Sequence, residues 1–492
     1  MNLRTVWWVV ALGCFAAGAR GADFDTALAE AAALSAKDPK AALAKLEPLL
    51  KDTGGDPEKT LRVRQARLAA FISTTNFQPD AAVAEAEEVK KSTNDPKLQD
   101  SMTITIARTY ARVRHVPEIL QCFDTAVQQA ASDKARAANL LMQEATILSG
   151  WAVFDYDGAL RVLGTIKTQY ASETAIVLGA EMRSAELMQL KGDHAEAVKQ
   201  AKAVLQAHAD LSVADKVRLW TVLNVSLQAT KSYDEARAVC EEAVTQLKGD
   251  VQGAEFALSI GKILLATKDT KQALPAFRRV LLDYPTEAAC SEAMKNLFII
   301  HRDSGDFNKA LVAALRCYCS ATTTKGVEDA ISCVTQAVRG VDGNMLRVNA
   351  FLKFQKYGPA GPDKVAGSAG ALQNPLASFF GDSAALGPDA DEGALVDAAV
   401  VKLGVSPAER RAKAFIYLHF GKVHPALSEL KHLFLICECD EKGLKAAADD
   451  LAIGLRAYQG HVFGAEQFFE FQTYGPKGKD GKSDLKDPLQ GF

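Results

Sequence analysis

The side chains with the most chemistry to offer in this 492-residue chain are thiols and imidazoles. Nine cysteines are present, and four of them form two close pairs, Cys317-x-Cys319 and Cys437-x-Cys439. Thiols two residues apart on a helix point away from each other, so neither pair closes on itself. Pooled, they would offer four ligands to a zinc ion. No cysteine or histidine stands at finger spacing, however, and the expectation is buried cysteines acting as small hydrophobes, with one bridge at most. His424 and His432 lie eight apart on one expected helix, on one face with two turns between them. Exposed polar histidines are the expectation there, rather than metal ligands. Gly478-Lys479-Asp480-Gly481-Lys482-Ser483-Asp484 resembles a calcium loop. Calcium needs six or more oxygen ligands and the lysines dilute the charge, so a structural turn is expected. Trp151, Phe154 and Tyr156 cluster before Asp157-Gly158-Ala159. They are expected as core or groove aromatics of a hairpin turn, in preference to a sugar-stacking platform.

No nucleophile elbow, phosphate loop or His-Glu-x-x-His is present. No carboxylate pair stands out for glycoside chemistry. The expectation is a chain without catalytic, cofactor-binding or metal-binding residues, and not an enzyme.

What the chain does carry is a period. Gly192-Asp193-His194-Ala195-Glu196-Ala197 recurs as Lys231-Ser232-Tyr233-Asp234-Glu235-Ala236, as Asp269-Thr270-Lys271-Gln272-Ala273 and as Gly305-Asp306-Phe307-Asn308-Lys309-Ala310. Residues opening the second helix of each unit are Ala42, Ala82, Ile119, Ala159, Ala197, Ala236, Ala273 and Ala310, at steps of 40, 37, 40, 38, 39, 37 and 37. Two helices of three to four turns with two short turns need about forty residues. A small residue lets the two helices cross closely, and Gly, Lys or Asp just before it ends the first helix in a left-handed conformation.

This pattern resembles the tetratricopeptide repeat (TPR) family from about Asp23 to Ile436. The best segment is Ala276-Phe277-Arg278-Arg279-Val280-Leu281-Leu282-Asp283-Tyr284-Pro285 with Ala288, Ala289, Ala293 and Gly305-Asp306. It is similar to repeats of bacterial periplasmic and outer-membrane assembly proteins, where Tyr-Pro closes a hairpin. The steps exceed the family's ~34 residues, and most copies lack its early aromatic. The resemblance implies an all-α fold, a right-handed superhelical solenoid of antiparallel helical hairpins, that binds a protein or peptide.

Composition agrees with thin helical layers: 48% of residues are apolar but only 7% aromatic. With a net charge of −3 and no basic stripe, nucleic acid is not an expected partner. Residues 1–22 read as a secretory signal: Arg4, an apolar run from Val6 to Ala17, and Ala17-Gly18-Ala19 or Ala19-Arg20-Gly21 for cleavage. Competing readings are an uncleaved anchor and a lipoprotein box, Ala11-Leu12-Gly13-Cys14. The expected setting is bacterial, in the periplasm or at the outer-membrane periphery.

Toward the C-terminus a longer unit repeats. Phe351, Gln355, Tyr357, Gly358, Pro359, Gly361 and Asp363 match Phe468, Gln472, Tyr474, Gly475, Pro476, Gly478 and Asp480 at an offset of 117. Asn374-Pro375-Leu376 echoes Asp487-Pro488-Leu489. Each copy is expected as four helices, near 289–302, 308–321, 327–339 and 344–356, and near 408–420, 425–438, 444–458 and 462–473. An extended Gly/Pro arm follows each copy, and 358–393 is expected as a long loop. The expected organisation is a signal peptide (1–22), a TPR-like solenoid (23–288), a first four-helix module with its loop (289–393) and a second with its arm (394–492). The functional expectation is an exported, non-catalytic scaffold in envelope assembly or secretion. Alternatives are an accessory subunit of an enzyme or transport complex, or a polysaccharide-handling protein.

Overall fold

The computed structural model describes residues 22–362, 371–380, 383–436, 441–461, 463–477 and 479. The signal segment with Cys14, together with Asp363, Cys437, Cys439, Asp480 and the Asp487-Pro488-Leu489 echo, lies outside the described residues. Every regular element described is helical. The chain divides into two compact units, one ending at Ser226 and one beginning at Leu227. The boundaries read from the sequence at 288/289 and 393/394 fall inside the second.

The first unit is built from α1 (Ala22–Leu34), α2 (Pro39–Lys51), α3 (Pro57–Phe71), α4 (Pro79–Lys91), α5 (Pro96–Arg112), α6 (Val116–Gln129), α7 (Lys134–Leu148), α8 (Tyr156–Gln169), α9 (Thr174–Lys191) and α10 (His194–Ala207). Helix α11 (Val213–Ala229) runs across the border. Successive helices from α1 to α10 pack on one another, and first helices of hairpins also meet, as α1 with α3, α5 with α7 and α7 with α9. Ion pairs tie some of these: Asp25 to Arg62 at 2.8 Å, and a two-pronged Asp100–Arg136 contact at 2.7 and 2.8 Å.

The repeated small residue has a fixed address. Ala42, Ala82, Ile119, Ala159 and Ala197 are each the fourth residue of a second helix, and each has no exposed surface. Ala236, Ala273 and Ala310 hold the same place in the second unit. The turn before them is also fixed. In five hairpins the helix-capping N–H reaches back five residues: His115 to Tyr110, Asp193 to Met188, Ser232 to Leu227, Asp269 to Leu264 and Asp306 to His301, at 2.8 to 3.0 Å. The residue between adopts positive φ: Arg114 60°, Gly192 96°, Lys231 61°, Lys268 62° and Gly305 79°. This is the Schellman closure that satisfies the last carbonyls of the first helix. Side chains such as Asp155, Asp269 and Asp306 then accept from the first free N–H groups of the second helix.

The second unit continues with α12 (Tyr233–Gln246), α13 (Val251–Ala266), α14 (Thr270–Asp283), α15 (Ala289–Asp303), α16 (Phe307–Ser320), α17 (Thr324–Asp342), α18 (Leu346–Tyr357), α19 (Ala390–Val400), α20 (Pro407–His419), α21 (Val423–Ile436), α22 (Glu441–Gln459) and α23 (Phe463–Tyr474). The two four-helix copies are α15–α18 and α20–α23. Phe351 and Phe468 are both fully buried, and Gly358 and Gly475 turn at φ 65° and 67° after the last helix of each copy. Helix α16 is buried on almost every side because it packs against α15 and α17 and also against α20 and α22.

The stretch 358–393 departs from a plain loop. It holds a 3-10 turn, Ala377–Phe379, and the start of α19. Asn374 Oδ1 accepts the Leu376 N–H at 3.0 Å, and Leu376, Phe380 and Leu386 are buried in the same core as α16 and α20. Their apolar side chains, rather than the local Gly/Pro composition, decide the outcome.

Candidate functional site

In the first unit the second helices α4 and α6 leave a cleft of about 520 Å³ over α5. Ile106 and Tyr110 of α5 form its floor, and Glu87, Lys90 and Lys91 of α4 face Glu118, Gln121, Cys122, Thr125 and Gln129 of α6. Charges of both signs and amide side chains therefore ring an apolar strip. Burial, with Cys122, Glu118, Glu87 and Asp80 adding to it, raises the Tyr110 phenol above its ordinary value. Burial and then Glu87 push the Cys122 thiol up, so it stays protonated. A protonated thiol is a poor nucleophile. What the cleft offers is hydrogen bonds and charge over an apolar base, which suits binding an extended polar segment.

The second unit holds a smaller cavity, about 180 Å³, lined by a buried charge network that sequence reading missed. Glu392 bridges two arginines: Arg316 Nη1 at 3.0 Å and Arg278 Nη2 at 2.8 Å. Arg316 also donates to the Leu386 and Gly387 carbonyls at 2.9 and 2.7 Å. His419, beside them and 4% exposed, donates from Nε2 to the Pro285 carbonyl at 2.7 Å. Burial lowers its pKa to about 4, so the ring is neutral. Arg456 donates to the Cys319 and Ala321 carbonyls and lies over Tyr318. These ions fasten the Gly/Pro-rich stretch and the second copy to α16.

The cysteines within the described residues are free. Cys240, Cys290, Cys317 and Cys319 are buried, and burial pushes each thiol up to about 12. Among the described residues no group of three or more His, Cys, Asp or Glu side chains is placed to hold a metal ion. His424 and His432 are both exposed on α21.

No family model matches the chain. Curated proteins give no match either. Solved structures are similar to it at low identity. The apo form of the quorum sensor NprR from B. thuringiensis is 12% identical, with 67% of this chain and 97% of that one covered and a TM-score of 0.34. Naa15/Naa10 bound to HypK-THB gives 11% identity, 89% and 66% coverage and a TM-score of 0.36. Yeast Tom70 gives 12%, 81% and 96%, with 0.20. Likeness at this level says nothing of what the chain binds. The TPR-like architecture rests on the chain's own hairpins.

The aromatic cluster is a correction. Trp151 is 72% exposed and Phe154 54% exposed, so neither fills the core. The α7–α8 turn runs from Ser149 to Asp155, four residues longer than the three-residue turns elsewhere, such as Thr267–Asp269. The extra residues carry Trp151 outward. Phe154 sits in the left-handed region, φ 59°, where the hairpin closure demands it. Tyr156 starts α8, is half-buried and meets Phe154 edge-on with ring centroids 6.4 Å apart.

Proposed function

We propose that the chain is an exported, non-catalytic scaffold whose hairpin surface holds a protein or peptide partner in the cell envelope, in assembly or secretion. The cleft over α5 carries this reading. It is long enough to span α4 to α6, polar on both walls and apolar at its base, and its one thiol is held protonated. Recognition of an extended segment by many small contacts is the usual working mode of such repeat arrays. The Arg4 start and the Val6–Ala17 apolar run support export.

The test is cross-linking of the full chain to whatever it retains in its native envelope, with Lys90 and Lys91 as cross-linkable positions in the cleft. Cross-links from these lysines to one protein are expected, with a severalfold drop in retention for Lys90→Glu combined with Glu118→Lys. Retention unchanged by that charge reversal would move the binding surface elsewhere.

A further inference from the structure

Two hairpins of the first unit have the same long turn. Ile72 to Gln78 joins α3 to α4, and Ser149 to Asp155 joins α7 to α8. Both close alike, the capping N–H donating to the carbonyl of the last residue of the first helix: Gln78 to Phe71 at 2.9 Å and Asp155 to Leu148 at 2.8 Å. Both carry a phenylalanine just before the cap, Phe77 and Phe154. The next first helix ends in a basic residue in both cases, Arg112 on α5 and Lys191 on α9.

The two sites then diverge. The Arg112 guanidinium lies 3.4 Å from the Phe77 ring centroid, and its Nη1 donates to the Ile72 carbonyl at 2.7 Å. Lys191 instead lies 2.9 Å from both Asp157 and Asp193. Its charge is spent on carboxylates, and Phe154 keeps an open face beside the still more exposed Trp151, which stands where the other turn has Thr74. At this site two carboxylates, Asp157 and Asp193, share Lys191, a net of −1, while Arg183, which donates to Ser149 Oγ at 3.0 Å, is itself paired with Glu186 at 2.9 Å.

We propose that Trp151 and Phe154 form an open platform for an arginine-bearing segment of a protein partner, occupying the place that Arg112 fills over Phe77. Aromatic faces attract cations, tryptophan most strongly, and a planar guanidinium stacks better than an ammonium. The acidic surround favours the same charge. The inference rests on the scaffold reading and gives its partner a chemistry.

The test uses the full chain and a dye-labelled Gly-Arg-Gly-Arg-Gly peptide, compared by fluorescence anisotropy with the same peptide carrying citrulline for arginine. Citrulline keeps the shape and removes the charge. The arginine peptide is expected to bind about tenfold more tightly, in line with one to two desolvated cation–aromatic contacts. Trp151→Ala with Phe154→Ala is expected to abolish that preference, and Asp157→Asn to weaken it two- to threefold. Both aromatics are exposed, so circular dichroism should show an unchanged fold. Equal affinity for the two peptides would overturn the platform, as would full arginine preference in the double variant. Binding of maltoheptaose or of phosphatidylglycerol vesicles that needs Trp151 while the arginine peptide shows no preference would also overturn it. A native partner retained equally by the double variant would sink the platform and leave the scaffold reading standing. Arginine preference in a chain that retains no native protein would do the reverse.

Discussion

Glu144 and His419 are buried ionisable side chains in different units, and burial moves them in opposite senses. Glu144 on α7 is 3% exposed; burial first, and the Asp124 charge second, raise its carboxyl from 4.5 to about 7. The folded chain keeps a proton that the unfolded chain has lost between those values. Its contribution is therefore present below pH 4.5 and lost as pH rises to about 7, a change of about 3 kcal/mol. Glu144→Gln is expected to stabilise the first unit by about that amount at pH 8 and hardly at all at pH 4.5, read from urea midpoints. For His419 the ordinary value is 6.5 and the folded value about 4. Here the unfolded chain takes up the extra proton, so stability is full above pH 6.5 and falls by about 3 kcal/mol as pH drops to about 4. His419→Leu should flatten that limb, seen by circular dichroism at fixed urea, at the cost of the Pro285 hydrogen bond. Backbone strain makes a third expectation. Lys231 and Lys268 hold φ near 60°, where a side chain is disfavoured, so either changed to Gly should gain about 0.5–1 kcal/mol. A loss on substitution would mean that the lysine side chains contribute more than their backbone costs.

Among elements, the hairpin is the unit that can be read from residues alone. Its small residue, its left-handed turn and its cap all lie within about six positions, so local spacing reveals them. Ala197 is predicted to resist enlargement because its helix crosses α9 there with no exposed surface. Ala197→Leu should cost about 1–3 kcal/mol in chemical denaturation, whereas Ile119→Leu, at a crossing already wide enough for a branched side chain, should cost less than about 1.5 kcal/mol. A neutral Ala197→Leu would show that the crossing is looser than the repeat implies. The four helices of each C-terminal copy were legible for the same local reasons. Helix α19 was not, because its neighbourhood is Gly- and Pro-rich and its stability comes from Val396 and Glu392 meeting distant partners. The Arg316–Glu392 contact spans 76 residues and has no local signature. Trp151 and Phe154 were visible as a cluster, but composition does not tell a buried aromatic from one that four inserted residues lift into solvent.

Within the second unit, the two copies end differently. The outward side of α16 carries Val312, Leu315, Arg316 and Cys319, and helices α20 and α22 pack against it. The same side of α21, 116 residues on, carries Ser428, Lys431, His432 and Leu435, of which Ser428, His432 and Leu435 are exposed. The described face of α21 is therefore mixed in polarity, with Leu435 exposed among polar neighbours, where that of α16 is covered. A chain ending at Gly404 would uncover Leu315, Tyr318 and Cys319, and is expected to aggregate on expression, as judged by size-exclusion chromatography. A monodisperse product would show that α20 and α22 are not needed to cover α16. The proposed function requires the cleft over α5 in the first unit to hold another protein. The direct test is affinity purification of the tagged full chain from the cells that make it, with mass spectrometry of the co-purifying material. A stoichiometric protein partner is expected, and it should be lost when the cleft charges Lys90 and Glu118 are exchanged. A solitary chain that retains a glycan or small ligand instead would contradict it.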